Sequence, residues 1–167
     1  MTNEQIQEKI KEQFSDVILD TPYAPDSAIL IIKKDRLHDL MHFLKNEPAL
    51  HFDMLMDICG VDYSKTSAPS SVRFEVVYQF YSFFFAHRLR LRVQVPEDDL
   101  NLPTVIDLWK SADWAERETA EMFGIHFVGH PNLKALLLFE GFEGHPLRKD
   151  YPIARRQKIP VPLNRVS

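Results

Sequence analysis

The chain has one cysteine, Cys59, in 167 residues. A lone thiol forms no disulfide within the chain and cannot hold an iron–sulfur cluster, which takes about four thiolates. Its neighbours Met54-Leu55-Met56-Asp57-Ile58 are mostly apolar, so a buried, inert thiol is expected. Apolar runs are also short. None approaches the ~20 residues that span a bilayer, and the opening MTNEQIQEKIKEQF shows no basic segment followed by an apolar one, so neither a membrane span nor a secretory signal is expected. G-x-S-x-G, G-x-x-x-x-G-K and a dinucleotide fingerprint are all absent. No nucleophile elbow, phosphate loop or dinucleotide site is therefore legible. Glycine numbers five, and four (Gly124, Gly129, Gly141, Gly144) fall between Trp114 and Pro152. The sharply shaped turns should concentrate there.

What is present fits one globular domain with a tail. Hydrophobic residues make up 45% and charged ones 26%, with mean hydropathy −0.24, which excludes a disordered or fibrous class. The net charge of −4 divides unevenly: residues from Arg148 onward carry +5 and the preceding body −9. A basic tail on an acidic body reads as an arm with a charged partner.

In chain order, Ile6, Ile10 and Phe14 recur every fourth residue, the stripe of an amphipathic helix. Residues 20–26 contain Pro22 and Pro25 and form a loop. Ala28–Ile32 reads as a strand buried on both faces. Asp35 is the expected N-cap of a helix carrying Leu37, Leu40, Met41 and Leu44 and ending near Asn46. Phe52, Leu55, Met56 and Cys59 fit a short helical face stopped by Gly60. Ser64–Ser71 is a polar loop. Val72–Phe80 and His87–Val95 alternate with period two and should form an antiparallel hairpin through Ser82–Ala86. The hairpin shows a row of Arg88, Arg90 and Arg92 beside Tyr81, Phe83, Phe84 and Phe85. Such a face could grip phosphates and stack bases. The plainer reading, that the arginines pair with acids or face water, is preferred because no basic charge excess accompanies them.

Pro103–Trp109 suits a short helix with proline in its first turn. Asp113 and Glu116 suggest a capping box opening a helix over Trp114–Phe123, with Gly124 as its C-terminal stop. Ile125–Val128 and Leu133–Phe139 read as strands or extended pieces. Residues 1–140 are expected to form the domain. Residues 141–167, with four prolines and no period, are expected to form an extended partner-binding arm. The fold class is α+β: a mixed or antiparallel sheet of about four strands with helices on one face.

Glu116, Arg117, Glu118 and Glu121 lie within two turns, near His126, His130 and His145. Paired carboxylates near histidines raise a hydrolase or metal site. No histidine lies on this helix at the i, i+4 spacing that helical metal sites use, so a structural ion-pair network is the preferred reading. Gly129-His130-Pro131 and Gly144-His145-Pro146 are read as turns stapled by histidine.

Glu116-Arg117-Glu118, Glu121-Met122-Phe123-Gly124-Ile125, Phe127, Gly129-His130-Pro131, Leu133-Lys134 and Gly144-His145-Pro146-Leu147-Arg148-Lys149-Asp150-Tyr151-Pro152 closely resemble the signature of the C-subunit family of NADH:quinone oxidoreductase, respiratory complex I. Asp57–Tyr63, the hairpin strands and Pro103–Trp114 extend the resemblance over about residues 28–155. Ala120, where larger residues are frequent, and Glu121, where aspartate is common, are mild departures. The resemblance implies a subunit with no cofactor, catalytic residue or metal ligand of its own. FMN and iron–sulfur clusters would sit in partner subunits, and electrons would pass from NADH to quinone in a proton-translocating complex. The partners implied are the large quinone-site subunit and iron–sulfur subunits, with no nucleic acid and no bilayer insertion. The place implied is peripheral, on the cytoplasmic face of the cell (inner) membrane. The signature residues Glu116, Arg117, Glu118, Glu121, Phe123, Gly124, His130, Pro131, His145, Pro146, Leu147, Arg148, Lys149, Asp150, Tyr151 and Pro152 would form the subunit interface.

Equivalent subunits of a ferredoxin-dependent photosynthetic complex, a coenzyme F420 dehydrogenase or a membrane-bound hydrogenase are the alternatives. A metal-dependent hydrolase or nucleic-acid module is remote. The arm has too little apolar content to fold alone. Arg148 and Lys149 are expected to meet a partner's carboxylates and Tyr151 to anchor, so Arg148→Ala or Tyr151→Ala should impair assembly and leave the isolated domain's melting temperature nearly unchanged.

Overall fold

A central hairpin, one strand alternately buried and the other buried almost throughout, sets the architecture of the computed structural model, which describes residues 1–66 and 70–158. Strands β4 (Phe74–Ser82) and β5 (His87–Val95) pair antiparallel from Phe74↔Val95 to Ser82↔His87. Phe74, Val76, Tyr78, Phe80, Leu89, Leu91, Val93 and Val95 are all buried in one core. Period two has placed one apolar row of each strand on the same face.

Before this hairpin come helix α1 (Asn3–Phe14), the short strand β1 (Ile18–Asp20), β2 (Ala28–Lys33), helix α2 (Leu37–Asn46) and β3 (Met54–Asp62). Strand β2 runs parallel to β5 and β1 antiparallel to β2, giving a mixed sheet in the order β1-β2-β5-β4-β3. The α+β class holds, with five strands where about four were expected. Helix α1 opens with a capping box, in which the Gln5 amide N–H donates to the Thr2 hydroxyl and the Thr2 N–H to the Gln5 side chain. Its Ile6, Ile10 and Phe14 join Leu37, Leu40, Met41 and Leu44 of α2 over the core face.

Three sequence expectations change here. The N-cap of α2 is Arg36 at φ 58°, not Asp35, and no side chain caps it. Residues 52–60 are not a helix. Met54–Asp62 is a strand whose register shifts between Leu55 and Asp57. That bulge adds a residue, so Leu55 and Ile58 are both buried at a spacing of three and imitate a helical period. Gly60 does not terminate the run, which continues to Asp62; a Cβ there would lie 2.4 Å from the Phe123 ring. Cys59 is exposed, not buried.

Beyond the hairpin, β6 (Asn101–Pro103) and β7 (His126–Val128) form a parallel pair, with helix α3 (Ala112–Phe123) between them. The expected helix at Pro103–Trp109 is therefore the end of a strand followed by turns. Helix α3 begins at Ala112 after Ser111, and the Asp113–Glu116 capping box does not form. The Ser111 hydroxyl instead donates to the Leu55 carbonyl at 2.8 Å, and the Thr119 hydroxyl to the Ile58 carbonyl at 3.2 Å. Helix α3 thus covers the free edge of β3, which would otherwise be a pairing template. The expected loop Ser64–Ser71 falls partly, and the end of the expected arm from residue 159 wholly, outside the described residues.

Candidate functional site

Four of the signature charges lie on α3, and three of them, Glu116, Arg117 and Glu121, reach backbone. Glu116 is fully buried. One carboxyl oxygen accepts the Val105 N–H at 2.8 Å, and the other lies 2.5 Å from the Thr104 hydroxyl. Burial raises its pKa to about 7 against the pull of those two hydrogen bonds. Next along the helix, the Arg117 guanidinium donates to the carbonyls of Lys134 (3.0 Å) and Ala135 (3.1 Å). The Glu121 carboxylate accepts three consecutive N–H groups, from Leu136, Leu137 and Leu138, at 2.9–3.3 Å. Residues 133–139 are consequently not a strand, because their backbone groups are bound to the side chains of α3. The expected ion-pair network is a side-chain-to-backbone staple. Glu118 is exposed at the helix surface.

The end of α3 explains the glycine and the Gly-His-Pro-Leu-Arg run. A helix leaves its last four carbonyls without intrahelical partners, and here each finds one nearby. Gly124 N–H donates to Ala120 (2.8 Å), His145 Nδ1 to Glu121 (2.8 Å), Leu147 N–H to Met122 (3.2 Å) and Arg148 Nε to Phe123 (2.6 Å). The histidine and arginine also face the negative end of the helix dipole. Gly124 has φ 74°, and a Cβ on it would lie 2.5 Å from both the His145 ring and the Arg148 guanidinium. Its lack of a side chain is required twice. The other Gly-His-Pro step acts locally. His130 Nδ1 accepts the Asn132 N–H at 3.0 Å, which leaves the proton on Nε2, aimed at the Asp113 carbonyl at 3.3 Å. Pro131 is exposed beside it and Pro146 half-buried.

A second anchor follows at once. Lys149 N–H donates to Asp62 at 2.8 Å. The Asp62 side chain is wholly buried and also bonds the Ser64 N–H (2.9 Å) and the Arg73 guanidinium (3.1 and 3.3 Å). Burial works to raise the Asp62 pKa, but Arg73, Lys149 and Ser64 together hold it well below the carboxylate range. Arg73 bridges onward to Asp150 at 2.7 Å and Glu97 at 2.5 Å. Both Arg73 and Arg148 lie over the Phe74 ring, at 4.7 and 5.1 Å. Tyr151 stacks on Phe142 at 6.0 Å and bonds Gln157, while Arg155 pairs with Glu143 at 2.6 Å.

Arg148 meets a carbonyl and a ring of its own chain, contacts that favour a contribution to the domain's own stability over the expected indifference. The sequence pattern assigned no role to Asp62, Arg73 or Thr104. Asp62 lay inside the DICGVDY match, the one signal that pointed at it. Leu147, Lys149 and Pro152 are exposed, and Asp150 is exposed but paired with Arg73.

Chemically, this is a set of latches. Among the described residues, no group of three His, Cys, Asp or Glu side chains is placed to hold a metal. A cleft of about 880 Å³ lies between the end of α3 and residues 133–145. The polar groups of Arg117, Glu121 and His145 on its wall are already bonded to backbone. No described helix is long and apolar enough to cross a membrane.

Residues 30–157 match the family described as "Respiratory-chain NADH dehydrogenase, 30 Kd subunit". The chain is 40% identical over 144 residues, 86% of its length and 74% of the relative's, to the second C subunit of the NADH-quinone oxidoreductase of Rhizobium etli (strain CIAT 652). Its fold is similar to that of the trypsin-resistant fragment of Nqo5, with TM-score 0.68 and 34% identity, covering 79% of this chain and 99% of that one. A chain of the membrane-bound sulfane sulfur reductase, described as an archaeal respiratory membrane complex, shares the fold alone. Its TM-score is 0.72 at 21% identity, with 90% of this chain and 86% of that one covered.

Proposed function

Because the chain belongs to the family of the 30 kDa subunit of respiratory-chain NADH dehydrogenase, we propose that it serves as the C subunit of an NADH-quinone oxidoreductase, shaping and stabilising its neighbours while other subunits carry the electrons. The observation that carries this reading is the match over residues 30–157, which spans every signature segment on α3 and after it. The isolated chain is not catalytic. The bonding of Glu116, Arg117, Glu121, His130 and His145 to the chain's own backbone supports a positional role for them.

In this reading the chain sits on the peripheral arm, at the cytoplasmic face of the membrane, against the large quinone-site subunit and iron–sulfur subunits. FMN and the clusters belong to those partners. Residues 141–167 act as the partner-binding arm. The Asp62 and α3 latches set where it leaves the body, and Leu147, Lys149, Pro152 and Ile153 face outward from them. The preformed anchor lowers the ordering cost that a free arm would bring to binding.

The test is affinity purification of the tagged protein from gently solubilised membranes, beside a form truncated after Pro152 that keeps both latches. Flavin, iron–sulfur absorbance and NADH-to-quinone electron transfer should co-elute with the full chain and be lost with the truncated one. Co-elution with the truncated form would overturn the arm. Electron transfer from another donor but not NADH would move the chain to one of the related complexes. A full chain that elutes alone would overturn the subunit reading.

A further inference from the structure

The sheet has a second face, and its cross-strand register orders that face into rows. Met54, Tyr81 and Arg88 align in the first, Asp57, Gln79, Arg90 and Ile29 in the second, and Cys59, Val77, Arg92 and Ile31 in the third. Met54, Asp57, Cys59 and Arg88 on it are exposed. Its three arginines are not alike. Arg92 is neutralised within the chain by Glu75 at 2.8 Å and also bonds the Tyr63 hydroxyl at 3.0 Å. Arg90 bonds only the neutral Gln79, at 3.3 Å, and Arg88 lies over the Tyr81 ring at 5.3 Å. Among the described residues, neither has a carboxylate within ion-pair distance.

The end of this face is an aromatic knob. Phe83 and Phe84, in the β4–β5 turn, are 68% and 78% exposed. Phe83 meets Tyr81 edge-on at 5.2 Å, and Phe84 meets Phe85 at 4.8 Å. The turn is pinned, since Phe83 N–H donates to Asp53 at 3.1 Å and Phe85 N–H to the Ser82 hydroxyl at 3.3 Å. Aromatic side chains held in place make strong anchors because little freedom is lost when they are covered.

We propose that this face, from the Phe83–Phe85 knob along Arg88 and Arg90, docks an acidic protein segment of a neighbouring subunit. Charge complementarity identifies the occupant: two guanidiniums without counterions, on a chain of net charge −4, want carboxylates next to an apolar socket. Nucleic acid fits less well, because its affinity rests on neutralising many phosphates, and two unpaired arginines on a chain of net charge −4 offer no such excess. The proposal rests on the subunit reading and adds the surface and the partner's chemistry.

Cys59, exposed in the third row, is a built-in reporter. Its alkylation by a maleimide is followed by peptide mass spectrometry, in the purified chain and in the solubilised complex. Cys59 should label in the free chain and be protected in the complex. Arg88→Glu/Arg90→Glu should fold normally, yet co-purify about tenfold less, while Arg88→Lys/Arg90→Lys retains both binding and protection. If the complex forms and transfers electrons while Cys59 labels as fast as in the free chain, the face is open and the docking proposal fails with the subunit reading intact. Unchanged co-purification of the charge-reversed form would overturn the acidic partner. Protection in the isolated chain that disappears on dilution would assign the face to a second copy. Protection removed by nuclease would assign it to nucleic acid. A chain that never joins the complex would sink the subunit reading and this proposal with it.

Discussion

The C-terminal end of α3 and the outward face of the sheet both carry clustered charge, and they use it in opposite ways. At the helix end each of the last four carbonyls has a donor within the chain, and the carboxylates of Glu116 and Glu121 hold backbone N–H groups. On the sheet, Arg88 and Arg90 face outward without a counterion among the described residues. A dense mix of acids, arginine and histidine suggests catalysis until its hydrogen bonds are followed. Followed, it is internal structure, and the plainer arginine row is where bonding capacity is left over. Density of charge thus says less about function than whether that charge is already satisfied.

Mutations can break this contrast at graded cost. The largest effect should come from Asp62→Ala. It removes the one buried carboxylate of the three that Arg73 pairs with and unpairs the Ser64 and Lys149 N–H groups, charge-assisted bonds worth about 1.5–3 kcal/mol each, measurable by urea unfolding of the purified chain. Glu116 comes next, through pH. Its folded pKa of about 7 lies above the ordinary 4.5, so the folded state holds a proton that the unfolded state releases. Its contribution is complete below pH 4.5 and lost as pH rises through 7, a fall of about 3 kcal/mol. Glu116→Gln should flatten that window and melt higher than the parent at pH 8. A parent curve already flat between these pH values would contradict the assignment. Gly124→Ala combines a positive φ with close approach to His145 and Arg148 and should cost roughly 2–3 kcal/mol. Arg88→Ala, on the other side of the comparison, should change stability by less than about 0.5 kcal/mol. A larger loss would mean that the sheet face is internally committed after all.

Much of the fold was legible, because the stripe Ile6, Ile10, Phe14 and the alternation over 87–95 express burial on a single face. The error at 52–60 has a local cause: the bulge between Leu55 and Asp57 shifts parity, and parity is the only periodic signal a strand offers. The misplaced start of α3 came from a capping pair of the right residue types. Glu116 of that pair bonds Val105 instead, and Ser111, which precedes the helix, bonds Leu55 rather than capping it. At the site, the resemblance gave the residues but not their contacts. Asp62 and Lys149 are 87 positions apart, and no spacing rule reaches that far. Arg148 reads as part of a free arm in the sequence because the contacts it makes, the Phe123 carbonyl and the Phe74 ring, are supplied by the folded body.

The central claim is that the signature run after Gly144 belongs first to its own domain, as the cap of α3. Thermal melting of the purified chain beside its Arg148→Ala variant tests it most directly. Losing the bond to Phe123 and the contact with Phe74 should remove about 1–2 kcal/mol and lower Tm by roughly 3–8 °C. A variant that melts with the parent, yet no longer co-purifies with respiratory subunits, would show that Arg148 serves the partner and not the helix.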